Sequence, residues 1–327
     1  MRISHSFVVP SHNHADYVGL TIESLLKQNR AGSEIVVSED HSTDHTQQVL
    51  EKFGDKIRIV RPPEHRGMAH AWNWGVQQAR GDWVSLMGAD DLALPHFVET
   101  MAGAIERYAG QAVLVSAEVS QIDAAGAVIG SDLTLSAKPV TRPPDTLYVQ
   151  AIANITQVAA NCFRRDAWEK AGGFDTRLQF YGDWGLWLKL AAHGDFLHVH
   201  KVVANYRIGY RPGIARQRMA QTLRDDATVQ RVIIPEIAET MPGVDRDRLR
   251  RASRERFRIV LADAGHIVEP RDRGFFTDCL AEWARDVGAE DMLRRFVAGE
   301  RISTGWRGSA TRRVLRRIYR TLFAPSA

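Results

Sequence analysis

The sequence predicts an α/β protein: a mostly parallel sheet with helices on both faces, followed by a helical region. Three observations carry this expectation. Short apolar runs alternate with amphipathic stretches through the first ninety residues, the signature of strand–helix–strand units. Two of those runs end abruptly in acidic clusters, and strand signals give way to helical periodicity past Gly213.

Residues 6–10 read as a first strand, followed by the polar turn Ser11-His12-Asn13-His14. A helix follows with Val18, Ile22, Leu25 and Leu26 on one face. Residues 34–38 are a second strand ending in Glu39-Asp40-His41-Ser42-Thr43-Asp44, with Asp44 a helix-capping type, and residues 56–60 are a third. Residues 67–79 form a helix and 83–87 the fourth strand, which delivers Asp90 and Asp91. Open α/β sheets bind ligands at the carboxyl ends of their strands, so the edge carrying Asp40 and Asp91 is the expected active site. Adjacent carboxylates repel one another unless a cation joins them, and a hard divalent ion shared with phosphate oxygens is the usual partner. The same pair also suits an acidic turn that caps the helix after Pro95.

Farther along, 113–119 and 128–129 read as strands around Asp123-Ala124-Ala125-Gly126. Residues 130–150, with Pro139, Pro143 and Pro144, read as a loop able to flap over the site. Helices are expected near 214–231, 246–264, 274–287 and 291–298.

The pieces Phe7-Val8-Val9-Pro10-Ser11-His12-Asn13, Val37-Ser38-Glu39-Asp40-His41-Ser42-Thr43-Asp44 and Gly88-Ala89-Asp90-Asp91 resemble the nucleotide-binding half of family 2 glycosyltransferases. Ala171-Gly172-Gly173-Phe174-Asp175 and Tyr181-Gly182-Asp183-Trp184 resemble the acceptor half, so the likeness covers about the first 210 residues. It implies a GT-A, Rossmann-like fold and inverting transfer from a nucleotide sugar, a UDP-sugar by preference, to a saccharide or lipid-linked acceptor, in the setting of cell-surface polysaccharide synthesis. The nucleotide-binding set it implies is Pro10, Ser11, Asn13, Asp40, Gly67, Asn73 and Asp90, with Asp40 and Ser11 at the nucleobase. Asp91 is the implied ligand of Mn²⁺ or Mg²⁺, and Asp183 the implied general base. Asp183 also suits a cap for the helix that follows it. The domains implied are 1–211, divided near residue 110 into nucleotide and acceptor halves, and the helical 212–327.

The chain departs from the family pattern at four places. Gly88 stands where a first Asp is common, Glu39 where an Asp is usual, Trp72 where an Arg often precedes Asn73, and Gly209 where a His often follows the Tyr-Arg pair. A diphosphate-facing cation must then come from elsewhere, with Arg66 the candidate. Sugar faces stack on aromatic rings, so Tyr181 and Trp184 are the acceptor candidates, with Trp184 expected to face the site and Trp187 the core. His12, His14 and His41 are expected to be polar loop residues. Nucleotidyl transfer is the first alternative activity, but it wants a Gly-rich basic loop after strand one, where Pro10-Ser11-His12-Asn13 stands. An inactive nucleotide-sugar-binding scaffold at a membrane is the second, opposed by the joint presence of Asp40, Asp91 and Asp183.

With 44% hydrophobic and 25% charged residues, the 327-residue composition is that of a globular protein. No apolar stretch reaches the roughly 18 residues of a membrane span, and the first strand begins too early for a signal peptide, so a cytoplasmic enzyme is expected. Cys162 and Cys279 lack metal-ligand spacing and read as reduced thiols. No acidic residue follows Glu300. On a helical wheel Arg312, Arg313, Arg316, Arg317 and Arg320 fall within roughly 140°, opposite Val314, Leu315, Ile318, Tyr319 and Leu322. A basic amphipathic helix of this kind suits an anionic membrane surface, at the cytoplasmic face, or a docked terminal helix with a solvated basic side. No aromatic platform accompanies it, so no nucleic-acid partner is expected.

Overall fold

The structure is a computed structural model and describes residues 4–29, 32–132, 138–208, 215–268, 273–274 and 276–302. The basic segment 312–320 therefore lies outside the described residues.

The first half follows the expected alternation. Strand β1 (His5–Ser11) leads to helix α1 (Val18–Leu26), β2 (Ser33–Glu39), α2 (Thr46–Glu51), β3 (Arg58–Val60), α3 (Met68–Gln78) and β4 (Trp83–Leu86). These four strands are parallel, in the order β3-β2-β1-β4. The chain winds outward from β1 to β3 and then returns to β4 on the other side of β1. In open α/β sheets such a reversal marks where ligands bind, outside the carboxyl ends of the strands, here β1 and β4. Phe7, Val8 and Val9 are fully buried because helices cover both faces, which is why these strands read as continuous apolar runs.

Beyond β4 come β5 (Leu92–Ala93), α4 (Phe97–Arg107), β6 (Ala112–Ile122), β7 (Val128–Asp132), β8 (Val140–Thr141) and α5 (Asp145–Ile152). Next are β9 (Asn161–Arg164), α6 (Arg165–Lys170), α7 (Gly182–Leu190) and β10 (Asp195–Arg207). The sheet continues β4-β9-β6-β10-β5, with β9 antiparallel to both its neighbours and β10 parallel to β6. It is thus a mixed, mostly parallel sheet.

Residues 130–150 differ from the flap expected of them. Residues 133–137 lie outside the described residues, but 140–141 pair with β10, and Pro144 stands as N-cap of α5, whose residues Thr146–Ile152 are all buried. The prolines start a core helix: the fixed φ of a proline suits a helix's first turn.

The C-terminal region is helical. Helix α8 (Ala215–Thr228) runs through a π-turn (Val229–Ile233) into α9 (Ile234–Thr240), followed by α10 (Arg246–Ile267), α11 (Thr277–Val287) and α12 (Glu290–Val297). Phe257, Leu280, Trp283 and Phe296 lead an apolar cluster of its own. Val229, Ile233, Ile237 and Ala252 instead join the cluster that holds Trp184 and Trp187, so the helices are packed onto the sheet half. No described helix is long and apolar enough to cross a membrane. Cys162 is buried against the sheet, and burial pushes its thiol up to about 12, as suits a packing residue.

Candidate active site

Ser11 ends β1 and Asp40 follows β2, tied together by a bond from the Asp40 N–H to the Ser11 carbonyl (2.8 Å). Both side chains are buried, at 2% exposure each. Asp40 Oδ2 meets His65 Nδ1 at 2.7 Å, while Asp40 Oδ1 and Ser11 Oγ have no hydrogen-bond partner among the described residues. Buried polar atoms are nearly always paired, so two orphans side by side at a strand edge mark a place for a ligand's polar atoms. Pro10 precedes them, half-buried, opposite Ser38.

Asn13 has a different task. Its Oδ1 accepts from the Thr43 N–H (2.8 Å) and the Asp44 N–H (3.3 Å), so it pins the loop after β1 to the loop after β2. Asp44 itself accepts from Thr46 N–H at the start of α2 and from Ala15 N–H, as a cap-type residue does. Glu39 is wholly buried, and hydrogen bonds from Ser42 and Arg61 outweigh the burial and hold its carboxyl below the usual range. His12 and His41 bond to the carbonyls of Asp40 and Pro62, in keeping with polar loop residues.

Gly67 is the N-cap of α3 with φ 91°, a left-handed conformation that side chains resist. Arg66 beside it is paired with Glu64. Asn73 has a structural task in this half. Its Nδ2 donates to the Phe174 carbonyl (2.9 Å) and its Oδ1 accepts the Phe174 N–H (2.8 Å), one bond at each end of the amide. It fastens α3 to the Gly172-Gly173-Phe174 turn. Gly173 has φ 70°, and a Cβ there would lie 2.6 Å from Asn73 Oδ1, so the clamp demands glycine.

Asp90 and Asp91 follow β4. Asp91 is 2% exposed, and its Oδ1 accepts the Arg207 N–H from β10 at 2.9 Å. The Arg207 side chain donates to the Asp90 carbonyl (2.9 Å), so β10 holds the acidic turn from below. Burial first, and the Asp90 charge second, push the Asp91 carboxyl well above the ordinary range. Gly88, where a first Asp is common, leaves the room that the pair fills. A Cβ at 88 would lie 2.5 Å from Asp91 Oδ2 and 2.9 Å from Asp90 Oδ1, so both carboxylates converge over the bare glycine. Two converging hard oxygen donors of like charge fit a divalent cation such as Mg²⁺ or Mn²⁺.

Asp183 lies in the first turn of α7, after the N-cap Tyr181, and so is not the cap. A Cβ on neighbouring Gly182 would touch Trp72 and Ala69, which puts this end of α7 against the first turn of α3. Asp183 Oδ2 accepts from Asn154 Nδ2 (2.9 Å) and Oδ1 from the Trp184 N–H (2.7 Å). Burial nevertheless outweighs these bonds and raises its pKa to about 6. Asp175, the other carboxylate of this half, is locked to Arg177 at 2.7 Å.

Trp184 is corrected as an acceptor platform. Its ring is wholly buried, donates from Nε1 to the Gln150 carbonyl (2.7 Å) and lies 4.8 Å from the Arg256 guanidinium. Tyr181 is half-buried and meets Trp184 edge-on, leaving Phe180, 36% exposed, as the aromatic at the surface. Trp187 is in the core, as expected.

The loop ahead of α7 is held from the C-terminal region. Buried Asp225 Oδ2 accepts the N–H groups of Gln179, Phe180 and Tyr181 at 3.0, 2.6 and 3.0 Å. Next to it, Asp226 pairs with the buried guanidinium of Arg256 (2.6 Å). Asp225 and Asn154 lie in no motif of the sequence; the adjacent Asp225-Asp226 within an expected helix was the one hint. Asp225→Ala orphans three loop N–H groups, and with hydrogen bonds to charged groups worth about 1.5–3 kcal/mol it is expected to destabilise the chain by about 2 kcal/mol. Chemical denaturation measures this, and a loss below about 0.5 kcal/mol would mean that the loop holds itself.

Acidic strand ends along the carboxyl edge of a mostly parallel sheet, with helices packed beside it, are the arrangement of the GT-A fold. The chain belongs to glycosyl transferase family 2, which matches residues 6–179. An uncharacterized glycosyltransferase of Rickettsia typhi is 26% identical over 207 residues, 62% of this chain and 63% of that protein. The chondroitin synthase of Pasteurella multocida is 26% identical over 206 residues, 61% of this chain and 20% of its own length. The chain thus spans less than two thirds of these relatives. Among solved structures, S. aureus TarS 1-349 in complex with UDP-GlcNAc superposes with a TM-score of 0.71 at 15% identity, covering 97% of this chain and 92% of that one. A mannosyltransferase of Pyrobaculum calidifontis in complex with GDP-Man and Mn²⁺ gives 0.54 at 21% identity, covering 91% and 86%.

Proposed function

We propose that this glycosyltransferase moves a sugar from a UDP-sugar to a hydroxyl of a saccharide or lipid-linked acceptor, with inversion, in the assembly of a cell-surface polysaccharide. The observation that carries the reading is the pair of buried oxygens, Ser11 Oγ and Asp40 Oδ1, that have no partner among the described residues. A carboxylate oxygen accepts the N–H of a uracil ring, and a serine hydroxyl donates to a carbonyl beside it. Relatives that include chondroitin synthase, and a structural neighbour holding UDP-GlcNAc, support the same reading.

Asp90 and Asp91 would hold the divalent ion. When bound, such an ion neutralises charge that develops on the departing diphosphate. Asp183, ionised, takes the proton from the acceptor hydroxyl as its oxygen attacks the anomeric carbon. The Asn154 and Trp184 donors keep that carboxylate aimed. One base opposite one leaving group gives a single displacement, hence inversion.

Thermal shift with UDP, GDP, CDP and dTDP, each with Mn²⁺ and with EDTA, tests the donor assignment. Ligand binding to the folded state raises the melting temperature. UDP with Mn²⁺ is expected to raise it most, and Asp40→Asn to abolish the preference for UDP. A larger shift with GDP would replace the uridine assignment with a guanosine one.

A further inference from the structure

A second set of metal-type ligands lies where β6 and β10 run side by side. Ser116 stands opposite His198 and Ala117 opposite Val199, but Glu118 stands opposite Val202. His200 and Lys201 are therefore extra residues on β10, a bulge of the kind that re-aims side chains. Ligand atoms of Glu118, His198 and His200 all lie within 4.8 Å of one another, and the two imidazole centroids are 4.6 Å apart.

The hydrogen bonds offer His198 a tautomer that suits an ion. Ser116 Oγ lies 3.3 Å from the Leu197 carbonyl and 3.0 Å from His198 Nδ1. With the serine proton on the carbonyl, the ring donates from Nδ1, and Nε2 carries the lone pair. It is buried, in a residue only 6% exposed, and no group among the described residues bonds to it. Metal-binding histidines are oriented in this way, one nitrogen held by a hydrogen bond and the other free for the ion.

We propose that Glu118, His198 and His200 bind one divalent transition-metal ion of the Zn²⁺ class, at a site separate from Asp90 and Asp91. Two imidazoles and a carboxylate suit such an ion, whereas the oxygen-only pair suits Mg²⁺ or Mn²⁺. The two sites are apart along the sheet. From Glu118 to Ile122, which stands opposite the Arg207 that braces Asp91, is four strand steps, about 13 Å. The ion would tie the bulge of β10 to β6 and so stiffen the strand that supports the acidic turn.

The test titrates Zn²⁺, and Co²⁺ as its coloured substitute, into the chelator-stripped full chain, with excess Mg²⁺ present to occupy the hard site. The expected result is one Zn²⁺ per chain in the wild type, with visible Co²⁺ absorption, and at least a 10-fold loss of affinity in His200→Ala and in Glu118→Gln. His200 is solvent-exposed, so its variant should melt like the wild type without Zn²⁺. Asp91→Asn should bind Zn²⁺ as the wild type does. Absence of stoichiometric binding in the wild type, unchanged binding in both His200→Ala and Glu118→Gln, or its loss in Asp91→Asn would each overturn the proposal.

Discussion

Asp183→Asn should bind UDP and Mn²⁺ almost normally and lose sugar transfer by about 10²–10⁴-fold, the usual contribution of a positioned general base. The substitution keeps the shape and the bond from the Trp184 N–H, so the first turn of α7 stays in place. The pH dependence gives a second reading on the same variant. Burial raises the Asp183 pKa to about 6, so wild-type transfer should fall as pH drops through about 6, and the variant should lack that limb. Stability should move in the opposite sense. A carboxyl whose pKa is raised on folding favours the folded state while protonated, below about 4, and that advantage disappears as pH rises through about 6. Asp183→Asn should therefore gain stability relative to the wild type across that window. A folded variant with near wild-type transfer would remove Asp183 from the chemistry. The bonded state of Asp175 leaves it poorly placed to take over.

Asp91→Asn should weaken Mn²⁺-dependent UDP binding by about 100-fold or more, the upper end of what is lost when even an outer partner of a metal ligand is removed. The amide oxygen can still accept the Arg207 N–H, so the acidic turn keeps its brace while the charge over Gly88 is halved. Asp90→Asn should be milder, since Asp90 is more exposed and its backbone carbonyl, which the change leaves alone, makes the contact with Arg207. Calorimetry with Mn²⁺ and with EDTA measures both. Equal UDP affinity under the two conditions in the wild type would end the metal assignment.

The nucleotide half was legible because its signals are local. Buried parallel strands spell themselves as apolar runs, and the acidic residues at their ends fall where the chain must turn. Where contacts are distant in sequence, the reading ran out. Strand β9 enters the middle of the sheet between β4 and β6 with four residues and no marker of its partners. The proline pair before α5 looked like loop, and only the burial of the helix after it explains its place. Asn73 carries a family position, but its amide is used by a turn 101 residues away. For Trp184 and Trp187 the periodicity could not choose a face, because α7 is buried nearly all round and both rings are core.

The bonds from Asp225 begin at Gln179, and residue 179 is also where the family match ends. The matched stretch thus holds the strand ends that carry Ser11, Asp40 and Asp91, together with the clamp that carries the chain up to that point. The start of α7, where Asp183 sits, is braced instead from α8 and α10, beyond the matched stretch. On the proposed assignment, donor and acceptor recognition can change at different rates. Sequence drift in α8 and α10 would then retune which hydroxyl reaches Asp183, while Ser11, Asp40 and Asp91 stay as they are.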